Sequence, residues 1–254
     1  WCAEVCYADG ATLVKWVLRG GCAARARSRA RLEVAHAKLQ EEQDRSERLL
    51  LNILPGPIAE RLKHSSDEIA DGFSEVSVMF ADIVNFTQIA EHMTPAQVFA
   101  LLNRMFSEFD TIAEQHGLEK IKTIGDAYMV AGGLNGGEAD FSAAIAELAL
   151  DMRDVVAHGY VVENRPLQLR IGIGTGPVVA GVIGRKKFIY DLWGDTVNIA
   201  SRITTEGVPG AIHVDEPTYN RLRDRYDFHP PQTIYLKGKG DTRVYRLNGR
   251  RAGA

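Results

Sequence analysis

The sequence predicts an α+β fold, an antiparallel sheet of the ferredoxin-like kind with helices on one face. Three observations carry that prediction. Apolar residues alternate at Val76, Val78 and Phe80, then recur at helical spacing from Val98 to Phe109. Ile124-Gly125-Asp126 sits between two short apolar runs, which reads as a hairpin turn. The strict strand–helix alternation of a parallel Rossmann sheet is absent. The order is strand, helix, hairpin, helix, strand, with additions behind it. The length of 254 residues suits one large domain with an appendage, and 45% apolar with 25% charged residues is ordinary for a globular chain.

The appendage comes first. The chain begins at Trp1 rather than Met, which reads as a piece of a longer protein. Residues 1–30 hold one short apolar run, Ala11 to Leu18, interrupted by Lys15. Arg19, Arg25, Arg27, Arg29 and Arg31 follow with no acid among them. They read either as a solvated basic stretch or as the cytoplasmic flank of an upstream membrane span. From residue 31, Leu32, Leu39, Ser46 and Ile53 repeat every seven residues, with Ala35, Glu42 and Leu49 in the second seam position. The spacing predicts a helix over 31–53, either a short coiled coil with a polar middle or a lone surface helix. Pro55 and Pro57 end it. Residues 58–72 read as a linker, and a domain is expected over 73–248.

Within that domain a strand ends at Asp82. Thr94-Pro95 supplies an N-cap and an N1 proline for the next helix, which Gly117 closes. Leu118 to Thr123 and Ala127 to Val130 form the hairpin. A second helix runs from about Asp140 to His158. Leu167 to Ile173 and Lys187 to Leu192 are expected strands. Trp193-Gly194-Asp195-Thr196 opens a third helix to about Thr205, and the tail adds short strands and one helix.

Charge and cysteine usage narrow the function classes. The formal charge is −3, so no basic field points to nucleic acid. Cys2, Cys6 and Cys22 all lie in the first 22 residues, which is no disulfide framework.

Two acids stand out by position. Asp82 sits where an apolar strand meets a polar turn, and Asp126 sits at the hairpin tip. Neighbouring strands bring both carboxylates to one sheet edge. Such oxygens suit Mg²⁺, which keeps waters for substrate phosphates. Turn-capping would also account for both residues.

Three longer words bear on this choice. They are Phe80-Ala81-Asp82-Ile83-Val84-Asn85-Phe86-Thr87, Lys122-Thr123-Ile124-Gly125-Asp126-Ala127-Tyr128, and Tyr190-Asp191-Leu192-Trp193-Gly194-Asp195-Thr196-Val197-Asn198-Ile199-Ala200-Ser201-Arg202. From about Phe73 to Leu247 the chain resembles the class III nucleotidyl cyclases, in particular the mycobacterial-type homodimeric adenylate cyclases. The resemblance implies the class III cyclase catalytic fold, with Leu32 to Pro57 as a coiled-coil signalling helix and transducer segment. It implies an adenylate cyclase that converts ATP to 3′,5′-cyclic AMP and pyrophosphate with two Mg²⁺ or Mn²⁺ ions per site.

Position by position, the resemblance makes Asp82, Asp126 and the Ile83 carbonyl the metal ligands. Lys122 and Asp191 match the pair that reads the purine. Adenine offers an acceptor at N1 and a donor at N6, which a Lys and an Asp complement. Guanine reverses that edge. Asn198 and Arg202 match the pair that orients the ribose and stabilises the transition state, and four-residue spacing puts them on one helix face. Lys237 matches a triphosphate-binding lysine, ahead of Lys239. Two positions depart from the pattern: Pro177 stands where an arginine is found in the mammalian metal-binding half, and Gly174 where a histidine is common.

The family's site lies between two catalytic domains, so the resemblance implies a homodimer through the catalytic domain and coiled coil. It also implies an upstream membrane or sensor module, and a cytoplasmic catalytic domain attached to the membrane through it. A guanylate cyclase and a non-catalytic nucleotide-sensing module are the alternatives.

Overall fold

The computed structural model describes residues 10–64, 69–134, 140–162, 164–184 and 187–251, with side chains from Ser28 onward. The chain forms two compact units, Trp1–Ser66 and Asp67–Ala254.

The first unit holds α1 (Gly10–Leu51) and α2 (Gly56–His64). The helix expected over 31–53 therefore begins much earlier and takes in the arginine run. Its apolar stripe is open: Leu32 is 68% exposed, Leu39 59% and Leu49 58%. Ile53, the last expected seam residue, lies beyond the helix end. Pro55 separates the helices, and Pro57 occupies the first turn of α2, where a missing N–H costs nothing. Among the described residues no helix is long and apolar enough to cross a membrane. Residues 1–9 lie outside the described ones.

The second unit begins with β1 (Ala70–Ile83), α3 (Phe86–Glu91), α4 (Pro95–Gln115) and the β2 (Glu119–Ile124)–β3 (Ala127–Gly132) hairpin. It continues with α5 (Phe141–Gly159), the small pair β4 (Val161–Val162) and β5 (Arg165–Pro166), and the long β6 (Leu169–Ile183). Then come β7 (Ile189–Trp193), α6 (Asp195–Glu206), β8 (Ile212–Val214), α7 (Glu216–Leu222), β9 (Tyr226–Phe228), β10 (Gln232–Leu236) and β11 (Gly240–Arg250). The main sheet runs β10-β11-β8-β6-β1-β3-β2, with β7 also on β6 and β9 on β11. All its pairs are antiparallel except β6 with β8.

The expected elements are present, and several grow. β1 starts at Ala70, inside the segment read as a linker. Thr94 caps α4 as anticipated, its hydroxyl accepting from the Gln97 amide while the Gln97 side chain accepts from the Thr94 amide. β6 runs straight through Pro177, and the ladder with β1 shifts register between Phe73 and Val76, opposite that proline. A bulge is where a strand tolerates a residue without an N–H.

β6 also sets the layering. Ile171 and Ile173 face the core formed by Met105 and Phe109 of α4 and Ile145, Leu148 and Met152 of α5. Gly172, Gly174 and Gly176 alternate with them and face the other way, against α6. A Cβ at Gly172 would meet the Thr204 hydroxyl at 2.4 Å and the Ala200 carbonyl at 2.6 Å. At Gly174 it would meet the Thr196 carbonyl at 3.1 Å, and at Gly176 the Thr196 hydroxyl at 2.8 Å. This bare stripe lets Thr196, Ala200 and Thr204 lie flat on the strand. The expectation of helices on one face only is corrected here: α6 takes the opposite face because three glycines clear it.

Candidate active site

The end of β1 places Asp82. Its ladder partner on β3 is Ala127, the residue after Asp126, so the hairpin tip lies beside the strand end. Gly125, at φ 62°, makes the tight turn. Burial pushes the Asp126 carboxyl above its ordinary range, and the negative charge of Asp82 adds to that. A half-buried carboxyl whose ionisation a neighbouring carboxylate opposes favours a cation beside it. Among the described residues no group of three or more His, Cys, Asp or Glu side chains forms a metal cluster. Two aspartates plus a backbone carbonyl fit a hard divalent ion that keeps other positions for water and phosphate. The Ile83 side chain is a buried hydrocarbon, so a ligand from this residue would be its backbone carbonyl.

Arg170 is the residue that the sequence reading missed. It is the β6 partner of Asp82 on the other side of β1. Its Nη2 donates to Asp82 Oδ2 at 2.8 Å, and its Nη1 donates to the Thr205 carbonyl at 3.2 Å. Its Nε is buried and has no hydrogen-bond partner among the described residues. An arginine in a strand word, 88 positions from Asp82, carries no local signal of this contact.

Lys122 of β2 and Asp191 of β7 form an ion pair through Asp191 Oδ2. Asp191 Oδ1 accepts from the Leu192 amide at 2.8 Å, which fixes the carboxylate against its own strand. Both side chains are partly buried.

α6 carries Asn198 and Arg202 away from the β6 glycine stripe. Asn198 is exposed and Arg202 half-buried. Thr204 fastens the helix to the sheet, its hydroxyl donating to the Ala200 carbonyl at 2.9 Å and the Phe80 carbonyl at 3.3 Å. Ile203 packs with Leu236 and Val244, which anchors the following turn beneath the same helix. In that turn the Lys239 amide donates to the Leu236 carbonyl at 2.9 Å, and Gly238 takes φ 77°. A Cβ at Gly238 would lie 3.7 Å from both terminal nitrogens of Arg202, so the turn rests on the guanidinium. Lys239 pairs with Asp195, while Lys237 is exposed at the turn.

Both departures from the expected pattern have local reasons. Gly174 faces the backbone of α6, where a side chain has little room. Pro177 sits opposite the register shift of β1, where its missing N–H is tolerated, and its carbonyl accepts from the Thr196 hydroxyl at 2.9 Å. The structure thus brings Asp82 to Asp126, Lys122 to Asp191, and Arg202 to the Lys237 turn. Among the described residues no hydrogen bond or ion pair joins the two aspartates to the other five positions.

This arrangement has relatives. Residues 69–249 match the family model described as the adenylate and guanylate cyclase catalytic domain. The chain is 47% identical over 221 residues to an adenylate cyclase of Mycobacterium tuberculosis, covering 87% of this chain and 50% of that one. It is 42% identical over 219 residues to human atrial natriuretic peptide receptor 2, covering 84% of this chain and 21% of the receptor. The chain therefore spans about half the length of its mycobacterial relative. Among solved structures, the guanylate cyclase domain of RhGC from Catenaria anguillulae, in complex with GTP, superposes with a TM-score of 0.68 at 33% identity. That match covers 71% of this chain and all of the other. On fold, site words and these matches together, the chain belongs to the class III adenylate and guanylate cyclase catalytic-domain family.

Proposed function

We propose that the chain is an adenylate cyclase, forming 3′,5′-cyclic AMP and pyrophosphate from ATP at a site shared by two copies. The observation that carries this reading is the Lys122–Asp191 pair. A lysine donor beside a carboxylate acceptor complements N1 and N6 of adenine. The guanine edge would leave both groups facing like partners, and unpaired polar groups in a site discriminate strongly. The mycobacterial relative, named an adenylate cyclase, supports the same choice.

In this reading Asp82, Asp126 and the Ile83 carbonyl hold Mg²⁺ or Mn²⁺. The bound cation supplies Lewis acidity toward the 3′-hydroxyl and the phosphate oxygens. Asn198 orients the ribose so that the 3′-oxygen lies in line with the α-phosphorus. That oxygen forms a bond to the α-phosphorus, its proton passes to solvent, and the bond to pyrophosphate breaks. Arg202 offers a fixed fork to the phosphoryl oxygens as charge builds on them. Lys237 holds the triphosphate, since Lys239 is already paired with Asp195.

A second copy supplies the missing half. Val179, Ile183, Phe188, Ile189 and Trp193 expose apolar side chains along the β6–β7 arm, a surface suited to an isologous partner. The open Leu32, Leu39 and Leu49 stripe of α1 suits a parallel coiled coil. An upstream membrane or sensor module completes the proposal, with the catalytic domain on the cytoplasmic side. The test is product identification: the purified chain with Mn²⁺ and either nucleotide, resolved by chromatography. Cyclic AMP from ATP supports the reading. Cyclic GMP as the main product would replace it with a guanylate cyclase, and binding without turnover with a nucleotide sensor.

A further inference from the structure

We propose that Arg170 is a positioning residue for the divalent-cation site, holding the Asp82 carboxylate in the orientation a cation requires. The inference rests on the reading of Asp82 and Asp126 as metal ligands. Three observations carry it. First, Arg170 and Asp82 are direct cross-strand partners in the β1–β6 ladder, so the backbone itself sets their separation. Second, the guanidinium is held at two points. Nη2 donates to Asp82 Oδ2 at 2.8 Å and Nη1 to the Thr205 carbonyl at 3.2 Å. A planar fork fixed at both prongs cannot swing without breaking one bond. Third, the hydrogen bond from Arg170 goes to Oδ2. A carboxylate has about four lone-pair positions, so the contact leaves the group able to ligate a cation.

The Thr205 carbonyl adds a consequence. It lies in the last turn of α6, the helix that carries Asn198 and Arg202. One arginine therefore ties the strand that ends in a metal ligand to the helix that presents the transition-state groups. Partners of this kind orient metal ligands, and losing one typically weakens metal binding 10–100-fold. An ammonium cannot replace the fork, because a lysine reaches one acceptor as a point charge. The opposing physical account is that the guanidinium acts as a resident cation that metal must displace. That account predicts tighter metal binding when Arg170 is removed.

The experiment is a Mn²⁺ titration of the full chain, without nucleotide, read by the electron paramagnetic resonance of free Mn²⁺. Wild type, Asp82→Ala, Arg170→Gln and Arg170→Lys are compared, with circular dichroism and thermal melts confirming the fold. The expected result is a Mn²⁺ dissociation constant raised about 10–100-fold in Arg170→Gln and by less in Arg170→Lys. Where Arg170→Gln fails to fold, Arg170→Lys alone decides, by a dissociation constant raised above that of wild type. A folded Arg170 variant that binds Mn²⁺ as tightly as wild type, or more tightly, overturns the proposal. Undiminished Mn²⁺ binding by Asp82→Ala would instead overturn the metal-site reading beneath it.

Discussion

Lys122 and Asp191 are paired although their strands share no ladder. β2 is the outermost strand on one side of β1, and β7 hangs from β6 on the other. The pair exists only because the chain curls these distant edges together. Exchanging its hydrogen-bonding sense should exchange the base. In Lys122→Glu/Asp191→Ser, ATP turnover should fall at least ~100-fold and cyclic GMP should appear from GTP. Each single substitution should lose turnover of both nucleotides, because the remaining partner is mismatched to either base. Nucleotide chromatography reads all three outcomes. Unchanged preference in the double variant would remove the pair from base selection.

The Asp82–Asp126 pair predicts a stability effect with a definite sign. In the folded chain Asp126 keeps its proton to higher pH than its ordinary value of 3.8. The folded state is therefore favoured while Asp126 is protonated, and loses that advantage as pH rises through the folded value. At neutral pH the ionised Asp126, desolvated by burial and beside the Asp82 charge, opposes folding. Asp126→Asn should raise the melting temperature of the metal-free chain while abolishing cyclisation. Mn²⁺ should raise the melting temperature of wild type, and the increment should fade as pH falls into the carboxylate range. Differential scanning calorimetry across pH checks both. A melting temperature lowered by Asp126→Asn would contradict the account.

The glycine stripe of β6 makes a packing prediction. Gly172→Ala places a methyl 2.4–2.6 Å from Thr204 and Ala200. Overfilling of this kind costs about 1–3 kcal/mol. The effect should not stop at stability, since α6 must lift and it carries Asn198 and Arg202. The expected outcome is a folded protein with a lowered melting temperature and a larger loss in kcat than in ATP affinity. Gly249→Ala, at a glycine with open space around it, serves as the control.

These cases also show what the sequence made legible. The hairpin at Gly125, the Thr94 cap and the α6 start were readable because each rests on local chemistry: a positive-φ glycine, a side-chain cap and a charged first turn. The extent of β6 was not. Glycines at 172, 174 and 176 and a proline at 177 look like punctuation, and only the facing helix and the bulge opposite Pro177 explain them. α3 was missed because six residues carry too little periodicity, and Asn85 before it adopts φ 56° with no side-chain cap. At the candidate site, the placement of Asp82 beside Asp126 and of Asn198 and Arg202 on one helix was legible from their words. Arg170 was not, because its meaning lies in its register with Asp82 across the sheet.

We propose that each chain carries both halves of the chemistry and that a working site joins halves from two chains. Mixing inactive variants puts this to the test. Asp82→Ala and Arg202→Ala should each fold, dimerise and lose at least ~100-fold in kcat. Mixed in equal amounts and allowed to exchange, they should recover about a quarter of wild-type activity. Half of the random dimers are then mixed, and each mixed dimer has one intact site of two. Recovery that follows the mixed-dimer fraction is the predicted result. No recovery in a verified mixed dimer would contradict the shared site.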